Sequence, residues 1–403
     1  MSVDLKQTKV FEIKESVIAR MQKERFSLTC APGGENHAGM EIIGRMPVKG
    51  EGLTAIDLEG LSPYFENLDV LNTDEESYKD KCQLLDLNNL SGETIISQYL
   101  EREHQARVLI LRNWVQIMFG DKTVESIYKE LIVDEWDAEY LDPNKYRTEI
   151  VDGIETKIRG KRLNKIARKN LCYVAGREQE PAVMEGKGRI VDLVKRKVLN
   201  QTVETLHRQI TEGLIVIDSK SRVEINVVEG NRYYNLKNTG IGFHGDTERV
   251  IVICISIGCD NYPMRWQWFK DGMPVGTPID IRLNCGDVYI MSEKAVGSDW
   301  KFRSIYTLRH AAGADKYTNL KRWEKRRPSY DAKIKERADK LAAKKKLKSE
   351  KLNFKVNSDA KGGTINLKCK KKKVIIKSKC KKNDKLNRRK TTKNGELKVE
   401  LVK

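Results

Sequence analysis

Between Gly213 and His310 the chain passes through seven short apolar or alternating runs, at 214–217, 223–228, 250–257, 264–269, 279–283, 288–291 and 305–310, separated by Gly, Pro, Asn and Asp. Side chains on a strand alternate between faces, so runs of this length and spacing are the pattern of β-strands joined by tight turns. No helix-length segment separates them, which argues against a parallel α/β sheet and predicts a sandwich or jelly roll, the double-stranded β-helix. Lys270-Asp271-Gly272 reads as a hairpin tip, and Asn284-Cys285-Gly286-Asp287 as the turn that starts a strand.

Two of the five histidines fall in this segment. His244-Gly245-Asp246 places an imidazole and a carboxylate two residues apart, on one face of an extended strand. At the other end of the segment Tyr306, Leu308 and His310 share a face, so His310 points inward among apolar neighbours. Two imidazoles and one carboxylate on a rigid scaffold make the facial triad that holds Fe(II), with three positions left for an oxoacid and molecular oxygen. The plainer alternative is a chance pair and a core histidine at a strand end. Trp266 and Trp268 also share a face and read as core or as a stacking platform, while the polar loop 292–303 borders the expected mouth of the site.

Upstream the pattern is mixed. Val10, Ile13, Val17, Ile18 and Met21 predict a first helix within 1–25, and the glycine-rich stretch 30–60 predicts loops with short strands. Gly33-Gly34 is not followed by a GK[ST] element, so no phosphate loop is expected, and His37 there stands alone. The stretch 92–131 reads as helical, with His104 on a charged face, and a further helix is expected over 190–210 with His207 packing or capping near its end. A polar stretch at 134–169 suggests a boundary, giving a mixed α/β region over 1–160 and a β domain over 161–330, an α+β chain as a whole. The eight cysteines form no CxxC pair, which implies a reducing compartment without structural zinc. With no apolar leader and no run long enough to span a bilayer, the chain is expected to be soluble and intracellular, in the cytoplasm or nucleus.

The net charge of +19 is not spread along the chain. Residues 331–403 carry 27 basic and 8 acidic groups, while the remainder balances at 49 of each. That segment contains Lys344-Lys345-Lys346, Lys370 to Lys373 and Arg388-Arg389-Lys390 with few aromatics, so it is expected to be a flexible, largely disordered tail. It can bind nucleic-acid phosphates by counterion release, direct nuclear import or simply keep the chain in solution. A β-prone piece at 373–376 is expected to order on a partner.

Over residues 168–327 the sequence resembles the AlkB-like Fe(II)- and 2-oxoglutarate-dependent dioxygenases. Asn231-Arg232-Tyr233 is similar to the Asn-Arg-Tyr element that precedes the iron strand, and His244, Asp246 and Glu248 match its HxDx[DE] pattern. Arg168 to Tyr173 looks like the nucleotide-recognition lid, and Leu283 to Met291 is similar to the glycine-aspartate strand start. The resemblance implies that His244, Asp246 and His310 bind Fe(II), that Asn231 and Tyr233 bind 2-oxoglutarate, that Tyr173 stacks on a flipped base and that Glu248 contacts it. It implies an arginine after the second histidine for the remote carboxylate of 2-oxoglutarate. Arg322 and Arg326 are the candidates, with Lys321 and Arg327 beside them and no unambiguous RxxxxxR pattern. The expected activity is oxidative demethylation or hydroxylation of nucleic-acid bases, as in DNA repair, in a protein of the type large DNA viruses encode. A 2-oxoglutarate-dependent protein hydroxylase and a non-catalytic nucleic-acid-binding jelly roll are the alternatives.

Overall fold

The computed structural model describes residues 17–35, 37, 39–46, 48–68 and 81–350, and the backbone of four strands within 364–401. Most of the expected first helix lies outside the described residues, although 17–20 are helical. The strands of the body, in chain order, are β1 (Arg25–Ala31), β2 (Gly33–Glu35), β3 (Ile42–Gly44), β4 (Cys82–Asp86), β5 (Arg107–Leu111), β6 (Glu139–Val151), β7 (Ile154–Asn164) and β8 (Lys169–Val174). They continue with β9 (Ile190–Asp192), β10 (Val227–Tyr233), β11 (Gly240–His244), β12 (Val252–Gly258), β13 (Tyr262–Lys270), β14 (Met273–Leu283), β15 (Val288–Met291) and β16 (Thr307–Gly313).

Eight of them form one sheet in the order β4-β5-β15-β12-β1-β10-β8-β9, and four form a second in the order β11-β16-β13-β14. The larger sheet is mixed: β8 and β9 run parallel, while β1, for example, pairs antiparallel with both β10 and β12. Its strands β12 and β15 are apolar on both sides because both faces are covered. On one side Ile253, Ile255, Leu109, Leu111, Val288 and Ile290 pack against the helices Ala55–Glu66, Lys122–Ile132 and Lys197–Val216. On the other side Val252, Cys254, Val108, Ile110, Tyr289 and Met291 share a core with Met264, Trp266, Trp268 and Leu308 of the smaller sheet. The result is an α+β arrangement of helices, large sheet and small sheet.

This double coverage explains where the sequence pattern misleads. The stretch 108–117 is not one helical core: Val108–Leu111 belongs to β5, because a strand buried on both faces loses its period of two. The run at 214–217 is no strand but the end of the helix Lys197–Val216, and the helix expected over 190–210 begins only after β9. The polar stretch 134–169 contains the long antiparallel hairpin β6–β7, polar because most of its residues are exposed on both faces.

No domain boundary falls at residue 160. β1 sits inside the large sheet, with Leu28 paired to Gly230 of β10 and Ile255 of β12, and β4 and β5 extend the same sheet. Residues up to Arg327 form one compact unit, and Pro328–Lys403 form a second. In the second, Arg327–Glu350 is a helix whose described side chains from Asp331 onward are all exposed, so the part of the expected flexible tail nearest the body is helical. Lys, Ala and Glu favour a solvated helix, and a Lys340–Glu336 pair one turn apart supports it. The β-prone piece at 373–376 lies in the strand Lys372–Lys377, paired with Thr364–Cys369. Among the described residues no helix is long and apolar enough to cross a membrane.

A chain beginning at residue 161 leaves β10 and β12 without β1 and should fail to fold, whereas one ending at Arg327 should keep its far-UV circular dichroism and cooperative melting. A folded 161–327 fragment would contradict the shared sheet.

Candidate metal centre

His244 ends β11 and stands directly opposite His310 of β16, with their rings 4.4 Å apart. A register irregularity between Ile241 and His244 re-aims the end of β11, as bulges do. On β16, Leu308, His310 and Ala312 take the inner face, and His310 is paired with Trp266 of β13. The chain then turns through Gly245, where a Cβ would lie 2.0 Å from the Gly297 carbonyl oxygen. Only glycine permits this close approach, and it places Asp246 beside both rings.

Asp246 Oδ1 lies 3.4 Å from His244 Nε2 and 3.8 Å from His310 Nε2. One ligand atom from each of the three residues falls within 4.8 Å of the others. Adjacent ligands of a six-coordinate ion at about 2.1 Å are about 3 Å apart, so a small contraction closes this set on a metal. His244 Nδ1 faces the carbonyl oxygens of Gly242 at 2.8 Å and His310 at 3.1 Å. Both are acceptors, so Nδ1 carries the proton and Nε2 is left bare for coordination. His310 is buried, and burial together with the neighbouring His244 pushes its pKa down to about 3 against the pull of Asp246. It is therefore a neutral imidazole at neutral pH, as a ligand must be. The donor set fits a divalent transition metal. The other candidate cluster among the described residues, Glu101, Glu103 and His104, is fully exposed.

Burial alone would raise the Asp246 carboxyl, but the Arg249 guanidinium beside it holds it well below the usual carboxylate range. Arg249 Nε lies 3.6 Å from Asp246 Oδ2, so one carboxylate oxygen faces the imidazoles and the other faces the guanidinium. The same guanidinium pairs with Glu248 at 2.6 Å and closely with Glu229. Glu229 accepts from Asn231 Nδ2 at 3.0 Å, and Asn231 Oδ1 accepts from Arg168 Nε and Asn170 Nδ2, each at 2.6 Å. A continuous polar network thus runs from Arg168 to the candidate ligand Asp246.

The triad opens into a cavity of about 260 Å³ between the sheets. Asn231, Tyr233 and Glu248 line it, as expected, and Ser27 and Thr29 supply hydroxyls from the inner face of β1. Other expected residues lie elsewhere. Tyr173 is fully buried in the core on the helix side and donates to Asp134 Oδ2 at 2.9 Å, so it cannot stack on a substrate. Arg322 and Arg326 are exposed and do not line the cavity, because Trp323 packs on Phe243 and Phe269 and carries that segment away. Trp266 and Trp268 are core, with Trp268 Nε1 donating to the Leu87 carbonyl at 2.9 Å.

Glu35, Arg249 and Tyr262 line the cavity with no sequence signal to mark them, and His37, Arg168 and Trp300 join it from a lone histidine, the start of the lid-like segment and the polar loop 292–303. His37 stacks on Tyr140 of the long hairpin at 3.8 Å. The Glu35 carboxyl is pushed up to about 7 by burial and by the charges of Glu248 and Glu229. Of the unmarked residues, Arg249 is the one within reach of a pattern reading, three residues after Asp246 and next to Glu248.

Fold and site together define an α+β protein with a buried His/Asp/His centre suited to a metal-dependent active site compatible with an oxidoreductase. No protein-family model matches the chain. Over 295 residues, 73% of its length, it is 33% identical to uncharacterized protein R156 of Acanthamoeba polyphaga mimivirus, 98% of which is covered. The chain belongs to one family with that viral protein.

Replacing Arg249 by Met removes the counter-charge of three carboxylates and should cost about 3–5 kcal/mol of stability in urea denaturation. Arg322→Met should leave the midpoint in place. An Arg249→Met protein as stable as its parent would show that the network does not hold the site.

Proposed function

We propose that this chain is an Fe(II)- and 2-oxoglutarate-dependent dioxygenase of the AlkB-like type, with the two facing sheets as its jelly roll, and that it oxidises nucleic-acid bases. The carrying observation is the convergence of His244 Nε2, His310 Nε2 and Asp246 Oδ1 at a cavity between the sheets. Bound together, Fe(II) and 2-oxoglutarate supply oxygen activation for hydroxylating a C–H bond, with succinate and carbon dioxide as co-products.

The protein's own task is placement. His244, Asp246 and His310 hold the metal on one side and leave the cavity side open. Arg249 keeps Asp246 ionised, and the Nδ1 hydrogen bonds of His244 fix its ring. Asn231 and Tyr233 stand at the cavity wall where an oxoacid would lie, and Met264, Leu283 and Met291 make the neighbouring wall apolar, which excludes water. Hydroxylation of a methyl on a base nitrogen gives a hemiaminal that releases formaldehyde. A base in a duplex must first be flipped out, at a cost of a few kcal/mol that single-stranded substrate avoids. Glu248 lines the cavity as the candidate base contact, and the basic residues beyond 330 supply a tether for phosphates. A reduced iron and a central metabolite suit the cytoplasm or nucleus, and the mimivirus relative supports a virus-encoded protein acting in its host cell. Burial of Tyr173 removes the expected stacking residue and favours, as a second reading, a 2-oxoglutarate-dependent protein hydroxylase.

The test is anaerobic loading with Fe(II) and 2-oxoglutarate, then oxygen, with succinate and formaldehyde assayed against methylated single-stranded DNA, methylated RNA and a peptide pool. Formaldehyde from a nucleic acid is expected, and His310→Ala and Asp246→Ala should each abolish it along with succinate. Turnover with peptides alone would move the assignment to the second reading, and failure to retain iron would overturn both.

Ending the chain at Arg327 should weaken binding to single-stranded nucleic acid at low salt and flatten the dependence of affinity on salt concentration. An unchanged slope would remove the tether from the account.

A further inference from the structure

With Arg322 and Arg326 outside the cavity, the remote carboxylate of an oxoacid needs another partner. The distal strand β16 offers only Ala312 beyond His310 on the cavity wall. The cavity's cations come from elsewhere: Arg168, Arg249 and the exposed Lys301. Arg249 is occupied by Glu229, Glu248 and Asp246.

Arg168 is different. Its Nε donates to Asn231 Oδ1, which fixes the plane of the guanidinium. Among the described residues it makes no ion pair, and its two terminal nitrogens make no hydrogen bond. Glu35 feels its charge without lying within ion-pair distance. Beside it, Tyr233 and Tyr262 line the same cavity with rings 5.4 Å apart. The Tyr262 hydroxyl is buried without a hydrogen-bond partner, an arrangement that proteins avoid unless a ligand or water completes it. Tyr233 lines this cavity together with Arg168 on one hand and His244, Asp246 and His310 on the other.

We infer that Arg168, with the hydroxyls of Tyr233 and Tyr262, is the carboxylate anchor of this cavity and selects a dicarboxylic oxoacid. The anchor therefore enters from the segment leading into β8, on the large sheet, and not from the strand that carries the second histidine. A guanidinium presents two parallel N–H donors to a carboxylate, and the phenols donate to the lone pairs that remain. This inference rests on the dioxygenase reading, which supplies the oxoacid.

The experiment is calorimetric titration of the full chain, loaded with Mn(II), by 2-oxoglutarate and by 2-oxopentanoate, which has the same carbon chain without the remote carboxylate. The unaltered protein should prefer the dicarboxylate by about tenfold to a hundredfold, the range of a charge-assisted hydrogen-bonded pair. Arg168→Gln should bring that ratio close to one by weakening 2-oxoglutarate, with the 2-oxopentanoate and Mn(II) affinities kept. Those retained affinities show that the variant is folded. Tyr262→Phe should reduce the ratio less, and Arg322→Gln and Arg326→Gln should leave it unchanged. A preference that survives Arg168→Gln, or disappears in Arg322→Gln or Arg326→Gln, overturns the anchor alone. Failure of either oxoacid to bind the unaltered, Mn(II)-loaded protein overturns the dioxygenase reading and the anchor with it.

Discussion

The site depends on one buried guanidinium. Arg249 sits among Asp246, Glu248 and Glu229, all largely withdrawn from water. Ionised carboxylates there would otherwise protonate or repel one another, since burial disfavours the charged form. The arginine reverses that preference at Asp246, keeping one oxygen occupied and the other directed at the two imidazoles. Through Glu229 and Asn231 the same network reaches Arg168, so the metal ligand and the cavity's remaining cation are positioned by one set of hydrogen bonds.

The sheets provide the frame for this arrangement. Helices cover one face of the large sheet, and the small sheet covers the other, so its strands β12 and β15 are apolar on both sides. β1 is the exception that makes the cavity: Phe26, Leu28 and Cys30 enter the helix-side core, while Ser27 and Thr29 face the cavity. Opposite, the pairing of His244 with His310 across β11 and β16 brings together residues distant in sequence, and Gly245 lets the chain turn tightly enough to add Asp246.

Where side chains alternate along a strand, the fold and site were legible. β13, β15 and β16 lie close to their expected limits, and His310 faces inward as alternation requires. Three kinds of information were not legible. Strands covered on both faces lose their period, which hid β5 within an apolar stretch read as helical. β1 carries no flanking signal that it would be inserted between β10 and β12, so the chain appeared to divide where it does not. Side chains placed by tertiary packing escape any spacing rule. Tyr173 is drawn into the core by Asp134, Trp323 turns Arg322 and Arg326 away from the cavity, and Arg168 lines the cavity, held by its bond to Asn231.

The central claim is that His244, Asp246 and His310 form a metal centre. The most direct measurement is X-ray absorption on the anaerobic, Fe(II)-loaded protein, which counts imidazoles around the metal. Scattering from two imidazoles, reduced to one in His310→Ala, is the predicted result. A spectrum without imidazole scattering, or one that His310→Ala leaves unchanged, would contradict it.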